Sequence, residues 1–246
     1  MGVNQGVRQR EVAMRRFVLL ITGLAVVYLS LLPASEAKGA NDVFVHSFGP
    51  GASAFWEFPE ADGASTFVFV FAGEERNQAA PRPQTSRTVF IEVFQSSPGA
   101  DPADPSDDTF RSIAGGADLG SGELVLSGKK LDWATLQVSM PAEDCSFIGP
   151  LGPEPPTPVG CTETTISADL SWTAVGPFGN HIGSFHDRFD GCIANSHFSF
   201  TGRSAEVQGS VTAGGTDYTQ GETGFGDLIA RSRDQGVFIG DSCFVF

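Results

Sequence analysis

Residues 166–174 read ISADLSWTA. Ile166, Ala168, Leu170, Trp172 and Ala174 fall on one side of an extended chain, and Ser167, Asp169, Ser171 and Thr173 fall on the other. That is the period-two alternation of an antiparallel strand with one buried and one wet face. A helix, with its period of 3.6, would scatter the same apolar residues around its circumference. Working outward, short apolar runs recur at 42–48, 54–58, 66–72, 88–95, 123–127, 134–140, 184–189, 197–201, 205–211, 226–231 and 237–239. Most of the 30 glycines and 15 prolines separate these runs, which is the punctuation of strands and turns. The expected fold class is all-β, an antiparallel β-sandwich or barrel-like domain of about 10–12 short strands. FVFVF at 67–71 is apolar on both sides, as a central strand between two packed layers would be.

The N-terminus reads as an export signal. Arg8, Arg10, Arg15 and Arg16 precede the apolar run FVLLITGLAVVYLSLL, and Ser35-Glu36-Ala37 supplies a small-x-small cleavage site. At about 16 residues the run falls short of the roughly 20 that a spanning helix needs. No Cys follows it to carry a lipid. The expectation is a secreted protein, extracellular or periplasmic, with no stable membrane anchor. Residues 1–37 are then the signal peptide and 38–246 a single all-β domain, with halves at 38–145 and 161–246 as the other division that the proline-rich segment between them allows. The final Phe244-Val245-Phe246 is an ending shared with outer-membrane barrels, but the chain lacks their regular strands of about ten residues with a lipid-facing apolar band.

Of the 15 basic and 29 acidic residues, four and two respectively lie in the first 37, so the mature chain holds 11 against 27, a formal net charge of −16. So acidic a surface repels phosphate, which argues against nucleic acid and anionic membranes as partners. Four cysteines, Cys145, Cys161, Cys192 and Cys243, point to disulfides in an exported chain. Pairing Cys145 with Cys161 closes the proline-rich SFIGPLGPEPPTPVG, a loop whose closure is worth about 3 kcal/mol in the chain-entropy model. Cys192 and Cys243 would then pair. A zinc site is not indicated, since the thiols are not spaced as CxxC.

Candidate sites are few. Alternation places Glu92 between Phe90 and Phe94, where burial would raise its pKa and suit it to acid catalysis; the plainer reading is a strand whose Phe face is partly exposed, or a glutamate paired with an arginine. Glu57 invites the same argument, and two such carboxylates 5 to 10 Å apart would form a glycosidase pair. GNHIGSFHDRFD at 179–190 concentrates His181, His186, Asp187, Arg188 and Asp190, a weak metal or catalytic cluster or else a cross-strand polar ladder. Asp101, Asp104, Asp107 and Asp108 offer oxygen ligands to calcium without EF-hand spacing. No other cofactor is expected. Among the tryptophans, Trp172 reads as core and Trp56 is ambiguous. Trp133 alternates with Thr135, Gln137 and Ser139, which makes it the expected exposed aromatic and a stacking surface for a glycan. There is no G-x-S-x-G, and GDSC at 240–243 lacks the glycines of a serine-protease motif.

The stretches TISADLSWTAVGP (165–177), GSFHDRF (183–189) and RSAEVQGSVTAGGTDYT (203–219) resemble a group of exported bacterial β-proteins. The resemblance implies export and β structure and carries no activity. Together these readings favour an exported non-catalytic β-domain with a binding or structural role, its partner a glycan or a protein. The alternatives are a carbohydrate-binding module using an exposed Trp, and a secreted hydrolase built on buried carboxylates or the His/Asp cluster.

Overall fold

The structure, a computed structural model, describes residues 41–60, 63–77, 84–99, 105–149, 157–189 and 192–239. Its strands are β1 (Asn41–Pro59), β2 (Ser65–Asn77), β3 (Gln84–Ser97), β4 (Thr109–Asp118), β5 (Leu124–Leu126), β6 (Trp133–Ile148), β7 (Thr157–Ala174), β8 (Gly179–Phe189), β9 (Cys192–Ala213), β10 (Thr216–Asp217) and β11 (Gly224–Ile239). The chain forms two compact units, one of Phe44–Ser184 with His197–Gln235, the other of Met1–Val43, Phe185–Ser196 and Gly236–Phe246. Of the second unit, the strand ends 41–43, 185–189, 192–196 and 236–239 are described, all extended.

In the first unit the sheet closes on itself. Strands run β1-β2-β3-β4-β6-β7, and β9 pairs with β7 on one side and with β11 on the other, while β11 returns to β1. The expected all-β, barrel-like fold is therefore present, as an eight-stranded closed ladder with β5, β8 and β10 paired outside the ring. Every strand of a closed ring has one face inside and one outside, so alternation decides everything that follows.

Inside, Ala134, Leu136, Val138 and Met140 of β6 meet Ile166, Ala168, Leu170 and Trp172 of β7, with Val207 and Val211 of β9, Leu228 of β11 and Val68, Val70, Ile91 and Val93 opposite. Each large apolar side chain removed from water contributes roughly 1.5–3 kcal/mol. The two buried indoles keep their N–H groups satisfied: Trp172 Nε1 donates to the Ser53 carbonyl at 2.7 Å, and Trp56 Nε1 to the Glu222 carbonyl at 3.1 Å. Trp172 is thus core, as expected, and Trp56 is core as well.

Several elements differ from the sequence reading. The apolar runs at 42–48 and 54–58 are one strand, because β1 absorbs Gly49-Pro50-Gly51 in a bulge between Phe48 and Gly51 instead of breaking there. The runs at 197–201 and 205–211 merge into β9, and those at 226–231 and 237–239 into β11. β4 was not expected at all; Gly115 lets it lie against β6 and β7, where a Cβ would meet the Pro141 carbonyl and the Ile166 methyl. The Cys145–Cys161 disulfide is present, joining directly opposed residues of β6 and β7. Cys243 and the side chain of Cys192 lie outside the described residues.

Gly209 has φ +125°, and a Cβ there would run into the Asp169 carbonyl. Gly209→Ala should therefore cost about 1–3 kcal/mol from backbone strain alone, with the clash adding to it. Gly160→Ala, with open space around it, should stay within about 0.5 kcal/mol of the parent. Urea denaturation of the two variants measures the contrast.

Candidate functional site

Trp133 opens β6 at one end of the barrel. Its side chain is 46% exposed, while Ala134 beside it is fully buried. On the outer face it stands opposite Thr173, followed along the strands by Thr135 opposite Ser171, Gln137 opposite Asp169 and Ser139 opposite Ser167. On the far side of β7, Glu206, Gln208 and Ser210 continue the same rows. The result is a polar surface with one indole at its end, and the Ser167 hydroxyl donates to Ser139 at 2.8 Å within it. Exposed Val125 of β5 lies diagonally beside Trp133, and exposed Val175 directly follows the end of β7.

The position is held from below. The Ser127 hydroxyl accepts the backbone N–H groups of Asp132, at 2.6 Å, and of Trp133, at 3.0 Å. Arg203 donates to the Gly176 carbonyl through Nε and Nη2, and through Nη1 to Asp132 at 2.7 Å. One guanidinium thus ties together the two turns that flank the indole, which fixes the approach to Trp133 before any ligand arrives.

A second arrangement covers the outer faces of β11, β1, β2, β3 and β4, where phenylalanines pack ring on ring. Phe225 lies 5.1 Å from Phe55, Phe55 is 6.1 Å from Phe67, Phe67 is 6.4 Å from Phe94, and Phe94 stacks on Phe110 at 5.9 Å. FVFVF is buried on one side and half-buried on the other: Val68 and Val70 face the core, while Phe67, Phe69 and Phe71 enter this outer layer, so the second packed layer expected over this strand is not present among the described residues. Glu92 sits in it, opposite Phe69 on one side and Ala114 on the other, and is 3% exposed. Its Oε1 accepts the Ser112 hydroxyl at 2.8 Å, whereas Oε2 is buried with no partner. Desolvation pushes the Glu92 pKa up, and the Ser112 bond opposes this only in part.

Glu57 does not join it. Glu57 is exposed and aligned with Phe67 and Phe94, so the two glutamates stand two strands and two residues apart, with Phe67 and Phe69 on the strand between them. Strand spacing makes that roughly 12 Å between backbones. The expected pairing of carboxylates is not formed by these positions.

The third arrangement closes the other end of the barrel. Thr66, Gln95, Arg111 and Ser146 are directly opposed on four successive strands. Gln95 Nε2 donates to Thr66 Oγ1 at 3.1 Å, Thr66 Oγ1 donates to Glu60 at 2.9 Å, and Arg111 donates to Gln95 Oε1 at 3.3 Å. Arg111 also grips Asp144 with Nε and Nη2, at 2.8 and 2.7 Å. These hydrogen bonds and the charge of Arg111 hold the Asp144 carboxyl below its usual range, while Asp144 raises the guanidinium's affinity for its proton. Sequence reasoning missed this row because β4, which supplies Arg111 and Ser112, was not recognised; the alternation of Phe110, Ser112 and Ala114 against Arg111 and Ile113 is its one signal.

The remaining candidates are dispersed. Asp101 and Asp104 lie outside the described residues, Asp107 ends a single 3-10 turn, and Asp108 accepts the Gly99 N–H at 2.8 Å. His181, His186 and Asp187 fall on β8, and their side chains lie outside the described residues. Among the described residues no three His, Cys, Asp or Glu side chains gather as metal ligands. Comparison with known protein families, curated proteins and solved structures found no match to this chain.

Glu92 allows a test by pH. Its folded pKa lies above the reference 4.5, so its contribution to stability is complete below that pH and is lost as the pH rises through the folded value. Glu92→Gln should match the parent near pH 4 and become progressively more stable than it towards pH 8, read as the difference in denaturation free energy. A difference independent of pH would contradict the assignment.

Proposed function

We propose that this is an exported, non-catalytic binding module that docks an uncharged polysaccharide on the outer face of β6, β7 and β9, with Trp133 as the stacking platform. The exposed, pre-positioned indole at the end of a polar surface carries this reading. An aromatic face packs on the apolar face of a sugar ring, and the neighbouring hydroxyl and amide groups suit its hydroxyls. Asp169 and Glu206 on the same surface, together with the acidic composition, select against anionic polymers.

Export is supported by the N-terminal signal pattern and by the Cys145–Cys161 disulfide, which fits an oxidising compartment. Among the described residues no helix is long and apolar enough to cross a membrane. The outside of β6 and β7 carries Thr, Ser, Gln and Asp, where an outer-membrane barrel turns an apolar band towards lipid. The separation of Glu57 from Glu92 favours binding over glycoside hydrolysis.

Pull-down with insoluble neutral polysaccharides, cellulose, chitin and starch among them, tests the proposal. The parent should be retained by at least one of them, and Trp133→Ala should lose at least about tenfold in affinity, about 1.4 kcal/mol. Its stability should change by no more than about 0.5 kcal/mol, since the side chain is exposed. A parent that binds none of the panel, or a variant that binds as well as the parent, would overturn it.

A further inference from the structure

The polar row at the far end of the barrel borders a cleft of about 420 Å³. One wall is the rim of β2, β3 and β4, contributing Ser65, Gln95, Ser96, Ser97 and Arg111, with Glu60 from the turn before β2. The other wall is the hairpin of β6 and β7, contributing Phe147, Ile148 and Val159, and Phe110 lies between the two. The volume falls within the range of small-molecule sites.

The chemistry of the lining is specific. Ser65 and Ser96 share a hydrogen bond at 2.8 Å, and each hydroxyl keeps further capacity to donate or accept. Gln95 and Arg111 are held in place by the Thr66 and Asp144 contacts, so their remaining N–H groups are presented without a further ordering cost. Among the described residues Arg111 is the one cation lining the cleft, and Asp144 already neutralises it. Glu60 adds a carboxylate at the mouth. The site therefore offers no net positive charge to an anion. Hydroxyls, an amide, an acid and a guanidinium beside two phenylalanines suit a molecule that carries several hydroxyls on one side and C–H groups on the other.

We infer that this cleft is a second binding site, distinct from the Trp133 surface, and that it takes a small neutral saccharide of one or two rings. It lies at the opposite end of β6 from Trp133. A sugar unit held here would leave the outer polar face open to a polymer.

Thermal denaturation of the full-length protein with glucose, galactose, mannose, N-acetylglucosamine, cellobiose and chitobiose tests it, with glucuronate as the anionic control. At about ten times its Kd, one neutral sugar should raise Tm by about 3–6 °C, and glucuronate should raise it by less than about 1 °C. Ser97→Trp, which fills the cleft, and Glu60→Gln, which removes its acid, are both at exposed positions and should weaken the response at least tenfold in sugar concentration. Trp133→Ala should leave the response intact even where it abolishes polysaccharide retention, which separates this inference from the proposal for Trp133. If no neutral sugar shifts Tm, if both cleft variants respond as the parent does, or if Trp133→Ala alone removes the response, the inference falls.

Discussion

The pairing of β9 with both β7 and β11 is the constraint on which the molecule depends. An open sheet of this length would leave two strands with unpaired backbone groups, and its two faces would each need a partner layer. Closure replaces the two edges with one more ladder and makes the inner face its own partner. The interior is then filled by side chains alone, with Trp172 and Trp56 spending their N–H groups on carbonyls. The described side chains pack across the centre, which directs attention to the outside and the ends. Both candidate sites lie there.

The exterior is not uniform. From β6 to β9 it is polar, and from β11 through β1 to β4 it is aromatic, so the ring has a wet side and a side whose outward residues pack against one another. Glu92 belongs to the aromatic side. An unpaired carboxylate oxygen there is costly to ionise, and burial shifts the group towards its protonated form. Its burial was legible, because Phe90, Glu92 and Phe94 alternate with Val89, Ile91 and Val93; the identity of its partner, Ser112, was not.

What could be read in the sequence was whatever period-two alternation records directly. The buried face of β7, the exposure of Trp133 and the burial of Trp172 all follow from which residues are neighbours along one strand; FVFVF, apolar on both sides, reads as buried twice over, yet only its valines are. The Cys145–Cys161 pair was legible for another local reason, a proline-rich loop of suitable length between two thiols. Relations between strands were not legible. Gly49-Pro50-Gly51 looks like a break until a bulge carries β1 through it, and the closeness of β4 to β6 and β7 at Gly115 has no mark along the chain. The row of Thr66, Gln95, Arg111 and Ser146 draws one residue from each of four strands, and no spacing along the chain marks it.

The hairpin of β6 and β7 extends past the point where β9 stops, since the last registered pair with β9 is Ile166 with Ala213. From 157 to 165 the outer edge of β7 has no strand beside it among the described residues, and Cys145–Cys161 crosses that stretch. On its other side Cys145 is opposed by Ser112, within the ladder that joins β4 to β6, so the staple ties the unsupported edge of β7 to a rung of the ring itself. Breaking it would release the 157–165 edge of β7 first, so a reducing environment would first be felt as new sites for proteases along that edge. The bond in this sense protects an edge, and the lifetime of the cleft's outer wall is set by the redox state of its surroundings.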